Sequence, residues 1–150
     1  MVSWGYESDQ PSGSQFIDYH ERQGTRDLAA FLAVPAAIEF QARHDWHAVR
    51  QQCHQLASAT RQRLNTLTGL VPICPDSPQW FAQMFAARLP AHVDLEALKQ
   101  QLYDEFRVEV PVLTWNHQKF IRVSFQGYNT QADADTLVEA LERLLRLVVT

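Results

Sequence analysis

The chain has 150 residues, of which 46% are hydrophobic and 20% charged, and this suits one ordinary globular domain. Its net charge of −4 comes with no basic stripe, which argues against a nucleic-acid-binding protein. No apolar run approaches the about 20 residues of a membrane span, and the first residues lack the basic and apolar regions of a signal peptide. Cys53 and Cys74 form no CxxC motif. We therefore expect neither a disulfide framework nor a thiolate zinc site, and a reducing cytoplasm is the simplest expectation.

Residues 1–26 show neither a helical nor a strand period. They mix small polar residues with aromatic ones, which a free linker rarely carries: Trp4, Tyr6, Phe16 and Tyr19. We expect an irregular segment that lies against another surface. A frayed chain end is the alternative, because termini are often poorly ordered.

Residues 27–69 have the pattern of a helical arm. Asp27 can cap a first helix, and Pro35 should kink or restart it. Gly69 is a natural helix end. Between them a stripe at helical spacing predicts one long or broken helix: Trp46, Val49, Cys53, Leu56, Thr60, Leu64 and Leu67.

Residues 70–150 predict an α+β domain. Short apolar or alternating runs indicate strands at 70–74, 84–89, 108–112 and 120–125, with a turn at 116–118. Asp94 and Thr130 each precede an amphipathic helix. The order β-β-α-β-β-α favours an antiparallel sheet with helices on one face.

Arg122 is the first candidate for binding chemistry. Strand alternation puts Ile121, Val123 and Phe125 on the core face, so Arg122, Ser124 and Phe120 should point to the opposite face. A guanidinium there is either solvated or offered to an anion such as a carboxylate, which arginine binds with two parallel hydrogen bonds. The residues alone leave both interpretations open.

Gly24 and Thr25, just before the first helix of the arm, are the second candidate. A helix N-terminus offers free N–H groups, glycine allows close approach, and the threonine hydroxyl adds a donor, so a phosphate could bind here. Ordinary helix capping by Thr25 or Asp27 explains the same residues.

The histidines and lysines limit the chemistry that the chain can perform. His44, His47 and His54 could share a helix face, but no spacing supplies further metal ligands, so we expect no metal site. Lys99 and Lys119 are the only lysines, and neither lies in an evident buried polar pocket. We expect no Schiff-base lysine in this chain.

Three stretches resemble one protein family. They are QGTRDLAAFLAVPAAIEF at 23–40, LYDEFRVEVPV at 102–112, and IRVS at 121–124 followed by YNT at 128–130. Their order and spacing are similar to isopenicillin-N-epimerase-like proteins of the class V aminotransferase type. Cysteine desulfurases share the Gly-Thr pair and the Arg-x-Ser and Tyr-Asn-Thr features.

The resemblance implies the small C-terminal domain of a fold-type I pyridoxal-phosphate (PLP) enzyme, usually a homodimer. It implies that Gly24 and Thr25 contact the cofactor phosphate, and that Arg122 binds the α-carboxylate of an amino-acid substrate. The large domain with the PLP-bearing lysine would lie upstream. We therefore expect a C-terminal fragment that binds no PLP and is inactive alone, whose parent is an epimerase, transaminase or lyase. The alternative is a self-standing α+β binding or dimerisation module, because fold does not fix function.

Overall fold

The computed structural model describes residues 12–21 and 26–146, and the chain divides into two compact units between His44 and Asp45. None of the helices in these described ranges is both long and apolar enough to cross a bilayer.

The first unit contains three short helices: α1 (Gln15–Glu21), α2 (Ala29–Leu32) and α3 (Val34–Arg43). The expectation that all of residues 1–26 are irregular is wrong at α1. Before this helix, the backbone N–H of Ser12 donates to the carboxylate of Asp18 at 3.0 Å, a local bond that apolar periodicity cannot reveal. The expected restart at Pro35 is confirmed, since α2 ends at Leu32 and Pro35 lies in the first turn of α3.

The second unit has an α+β fold. Its elements are α4 (Trp46–Thr68), β1 (Met84–Leu89), α5 (Leu95–Phe106), β2 (Val112–Trp115), β3 (Gln118–Ser124) and α6 (Gln131–Arg146). The predicted caps are confirmed. Gly69 ends α4 at φ 66°, and the Asp94 carboxylate accepts hydrogen bonds from the N–H groups of Glu96 and Ala97. Thr130 and Asp133 exchange hydrogen bonds at the start of α6.

The three strands form an antiparallel sheet in the order β1-β3-β2. Strand β3 is central, with Ala86 of β1 opposite Arg122, and Val112 of β2 opposite Ile121. Two residues, Asn116 and His117, connect β2 to β3, and both have positive φ, as a type I′ turn requires. The predicted turn is thereby confirmed.

One face of the sheet and the inner faces of three helices make the core. Helix α4 packs against β1 and α6, and α5 packs against α6 and β2. The strand residues in the core alternate as expected, with Phe85, Ala87 and Leu89 from β1 and Ile121 and Val123 from β3. The helices contribute Cys53, Ala57, Leu64, Leu98, Leu102, Ala134, Leu137, Val138, Ala140, Leu141, Leu144 and Leu145.

Two expected strands need correction. Residues 70–74 form no strand, because Pro72 and Pro75 have no N–H to donate and the Arg61 guanidinium takes the carbonyl of Cys74. The strand expected at 108–112 begins only at Val112. Arg107 ends α5 at φ 56°, and the N–H of Val108 donates back to Leu102 at 3.0 Å, so these residues belong to the helix end.

Arg61 is a core residue that apolar periodicity missed. It is only 2% exposed, and its guanidinium donates to the Cys74 carbonyl, stacks over the Phe81 ring and lies 3.9 Å from the Asp76 carboxylate. Buried arginines need such partners, because an uncompensated charge in the interior is costly. Arg61 therefore ties the irregular segment after α4 to the helix.

We predict that His117→Gly stabilises the domain by about 1 kcal/mol, because a left-handed backbone costs roughly that much for a residue with a Cβ. Gln118→Gly is the matched control. It lies in β3, where glycine should lower the free energy of unfolding by about 0.5–1 kcal/mol. Urea unfolding of both variants checks the signs. A loss of stability in His117→Gly would contradict the turn assignment.

We predict that Asp76 contributes stability at neutral pH that acid removes. A hydrogen bond from Gln62 at 2.9 Å, together with one from Ser58 and the charge of Arg61, holds the pKa of Asp76 below its usual 3.8. A lowered folded-state pKa adds stability above the unfolded pKa, and this contribution is lost as the pH falls.

Urea unfolding should therefore show Asp76→Asn less stable than wild type at pH 7. The difference should shrink as the pH drops below about 4. Asp104→Asn, in an exposed residue of α5, should change stability little at any pH. A wild-type advantage over Asp76→Asn that stays constant down to pH 2.5 would be the contrary result.

Candidate functional site

The sheet face opposite the core carries the candidate site. The pairing register places on it Arg88 and Ala86 of β1, Phe120 and Arg122 of β3, and Leu113 of β2. We call this the open face. It also includes Met84, Trp115 and Ser124, which are exposed. The face therefore combines two guanidinium groups with accessible apolar side chains.

Arg122 lies on the open face as expected and is exposed. Its backbone N–H donates to the carbonyl of Pro111 at 2.9 Å, which extends the β2–β3 ladder by one bond and fixes the strand at this point. Its cross-strand neighbour on β1 is the small residue Ala86. Among the described residues no hydrogen bond or ion pair engages the Arg122 side chain, so the guanidinium keeps its donors for a ligand.

Phe120 gives the open face an apolar floor. It is 3% exposed, although it does not belong to the main core. Its cross-strand neighbours are Arg88 and Leu113, and the Trp115 ring lies 6.4 Å from its own, centroid to centroid. Alternation correctly placed Phe120 beside Arg122, but nothing in the sequence pattern signalled its burial.

Gly24 and Thr25 lie outside the described residues. Just after them, the Arg26 guanidinium stacks over the Phe31 ring at 4.6 Å, and the Asp27 carboxylate accepts a hydrogen bond from the N–H of Ala29 at 2.8 Å. Asp27 lies one residue before Leu28, the N-cap of α2, and its side chain holds the first N–H of the helix, although Leu28 itself makes no side-chain cap bond. Helix α2 has a single turn, so its dipole adds little to anion binding here.

Two of the three candidate histidines and one of the two lysines make local hydrogen bonds. His44 Nδ1 lies 2.7 Å from the Phe40 carbonyl, and His54 Nδ1 lies 2.8 Å from the Ala82 carbonyl. Within residues 12–21 and 26–146 no three side chains of metal-binding type come together. Lys119 Nζ donates to the Val93 carbonyl at 2.6 Å, while Lys99 is exposed on α5.

The turn after β3 is built by its own hydrogen bonds. Asn129 Oδ1 accepts from the N–H of Gln126 at 2.9 Å, and the N–H of Asn129 donates to the Gln126 carbonyl at 2.8 Å. A Cβ at Gly127 would come 3.0 Å from Val49 Cγ1, so only glycine fits easily against α4. This turn connects β3 to α6. Tyr128, which lies between the hydrogen-bonded residues Gln126 and Asn129, is 82% exposed.

Comparison with known proteins finds relatives that match most of the chain. The aminotransferase class V family profile matches residues 9–137. Isopenicillin N epimerase from Amycolatopsis lactamdurans is 40% identical over 96% of this chain and 38% of its own length. The corresponding protein from Streptomyces clavuligerus is 33% identical over 96% of this chain and 39% of its length. The chain thus spans about two fifths of these relatives.

A solved structure shows the same fold. The crystal structure of a cysteine desulfurase from Escherichia coli matches with a TM-score of 0.62 at 23% identity, over 83% of this chain and 32% of that one. The described helices and antiparallel sheet therefore recur in a larger protein.

We predict that Asn129→Ala lowers the free energy of unfolding by about 1 kcal/mol, the usual net value of one hydrogen bond, because the Gln126 N–H loses its side-chain acceptor. Tyr128→Ala is the neighbouring control and should stay within about 0.5 kcal/mol of wild type. Thermal or urea unfolding measures both. Equal stabilities of the two variants would show that the side-chain bond does not hold the turn.

Proposed function

The chain belongs to the aminotransferase class V family, and from this membership we propose that it is the C-terminal part of a PLP-dependent enzyme acting on amino acids. The observation that carries the proposal is the exposed, unpaired guanidinium of Arg122 on the open face. A free amino acid always presents an α-carboxylate, and a planar guanidinium binds this group with two parallel hydrogen bonds.

In this proposal Arg122 binds and orients the substrate. The β2–β3 ladder and the packed residues on either side, Ile121 and Val123, hold its backbone rigidly, so the carboxylate is fixed relative to the sheet. Fixing one end of a small substrate restricts where its α-carbon can lie, which is a large part of catalysis by positioning. The Phe120 floor excludes water from below and strengthens the ion pair.

Gly24 and Thr25 contact the cofactor phosphate in this proposal. An unhindered backbone N–H and a hydroxyl are suitable donors for a phosphate oxygen. PLP, when bound, supplies the electron sink for chemistry at the α-carbon of the amino acid. The amine that anchors PLP belongs to another domain, because the Lys119 ammonium is occupied by the Val93 carbonyl and Lys99 lies on an exposed helix face.

The partner of the open face is a large PLP-binding domain encoded upstream. The two epimerases extend well beyond the matched region, which leaves ample length for such a domain. Trp115, 67% exposed, together with Met84 and Leu113, gives the open face apolar contacts suited to burial against it. We further propose that the complete enzyme is a homodimer, as the family resemblance implies, and that it works in the cytoplasm, as its cysteine usage suggests.

Epimerisation at the α-carbon is the reaction we favour. The relatives at 40% and 33% identity are both named isopenicillin N epimerases, while a probable L-cysteine desulfhydrase of Arabidopsis thaliana is 29% identical over 82% of this chain. The upstream gene sequence distinguishes this proposal from a self-standing binding module. An adjoining α/β domain with a lysine after a short strand supports the enzyme, and its absence supports the module.

We predict that Arg122→Lys, made in the protein that joins this chain to its large domain, raises KM for the amino acid about 10- to 100-fold. Lysine keeps the charge but loses the second of two hydrogen bonds, each worth about 1.5–3 kcal/mol when charged. Exchange of the substrate α-proton in D₂O, followed by NMR, measures kcat and KM.

The matched control is Arg50→Lys in an exposed residue of α4, which should leave both constants unchanged. A wild-type KM in the Arg122→Lys enzyme would show that Arg122 does not bind the substrate carboxylate. A fall in kcat together with the raised KM fits the positioning role, whereas a fall in kcat at wild-type KM contradicts carboxylate binding by Arg122.

A further inference from the structure

We infer that Arg88 and Arg122 together form a site for an amino acid whose side chain ends in a second carboxylate. Arg122 takes the α-carboxylate, as in the proposed function on which this inference rests, and Arg88 takes the distal one. The substrate class is therefore an acidic amino acid or a larger molecule with a carboxylate at similar reach.

The register places the two arginines as diagonal neighbours on one face. Arg88 of β1 is opposite Phe120, and Arg122 follows Phe120 by two residues on the same side of β3. Diagonal pairs in an antiparallel sheet have Cα atoms about 7–8 Å apart, within the combined reach of two arginine side chains. A ligand with two anionic ends can therefore bridge them above Phe120.

The state of the Arg88 side chain points to a missing partner. Its Nε atom is buried, yet it makes no hydrogen bond within the described part of the chain. Buried donors are almost always paired, and each exception calls for a partner such as a ligand. None of the ion pairs between described residues includes Arg88 or Arg122. Both cations are thus available on a face with no neutralising carboxylate bonded to either.

Like charges on neighbouring strands repel, and this makes a doubly anionic ligand a better fit than a single carboxylate. Two guanidinium groups held as diagonal neighbours repel each other, and a ligand with two carboxylates neutralises both charges. One carboxylate on Arg122 would leave the Arg88 guanidinium without an anionic partner, whereas a second carboxylate supplies one. Phe120, which is opposite Arg88 and two residues before Arg122, is 3% exposed, so it keeps the face between the two arginines apolar from beneath rather than contacting the ligand.

The test compares L-glutamate with L-glutamine, which differ in one carboxylate replaced by a neutral amide. Both are titrated into the 150-residue chain at low salt, and the arginine Nε–H resonances are followed by ¹H–¹⁵N NMR. We expect L-glutamate to bind about tenfold more tightly than L-glutamine and to shift the resonances of both Arg88 and Arg122. Arg88→Gln should abolish this preference while L-glutamine binding is retained.

Two further variants separate the possible failures. Arg122→Gln should weaken both amino acids, and Arg50→Gln should weaken neither. If Arg122→Gln acts as expected but Arg88→Gln keeps the preference for L-glutamate, the inference is wrong and the proposed function stands. If neither amino acid binds, the inference is wrong while the proposed function stands on its own test in the joined protein. If both amino acids bind and Arg122→Gln weakens neither, the inference and the carboxylate role of Arg122 both fail. Amide spectra that retain the wild-type dispersion show that each variant is folded.

Discussion

The two-residue period of the central strand β3 is the constraint on which the rest depends. Because Ile121 and Val123 are buried among three helices, Arg122 between them must point to the opposite face. A shift of one residue in either strand pairing would bury the guanidinium and expose the isoleucine, so the core itself enforces the register. The hydrophobic core thus determines where a charged group is presented, and the proposed chemistry follows from that placement.

The helices and their ends were largely predictable, because they depend on local signals. The amphipathic helix expected after Thr130 is confirmed as α6, and Gly69 and Asp94 end and begin helices where expected. The connection between β2 and β3 followed from turn residues as well. The family was also recognisable, since short motifs kept their order and spacing even where each was weak alone.

The errors came from contacts between residues distant in the sequence. The apolar run at 70–74 resembles a strand. Arg61, which is 13 residues before Cys74, takes a carbonyl that a strand would need. Arg61 and Arg88 were both missed, because charged residues carry no signal in an apolar periodicity. The burial of Phe120 likewise depends on neighbours from two other strands.

The central claim is that the Arg122 guanidinium receives the carboxylate of an amino acid. Protection from phenylglyoxal, a reagent that modifies accessible arginines, tests it most directly in the protein that joins this chain to its large domain. Mass spectrometry should show that saturating amino acid slows modification of Arg122 at least several-fold and leaves exposed Arg50 unaffected. Modification of Arg122 at the same rate with and without the amino acid would contradict the account.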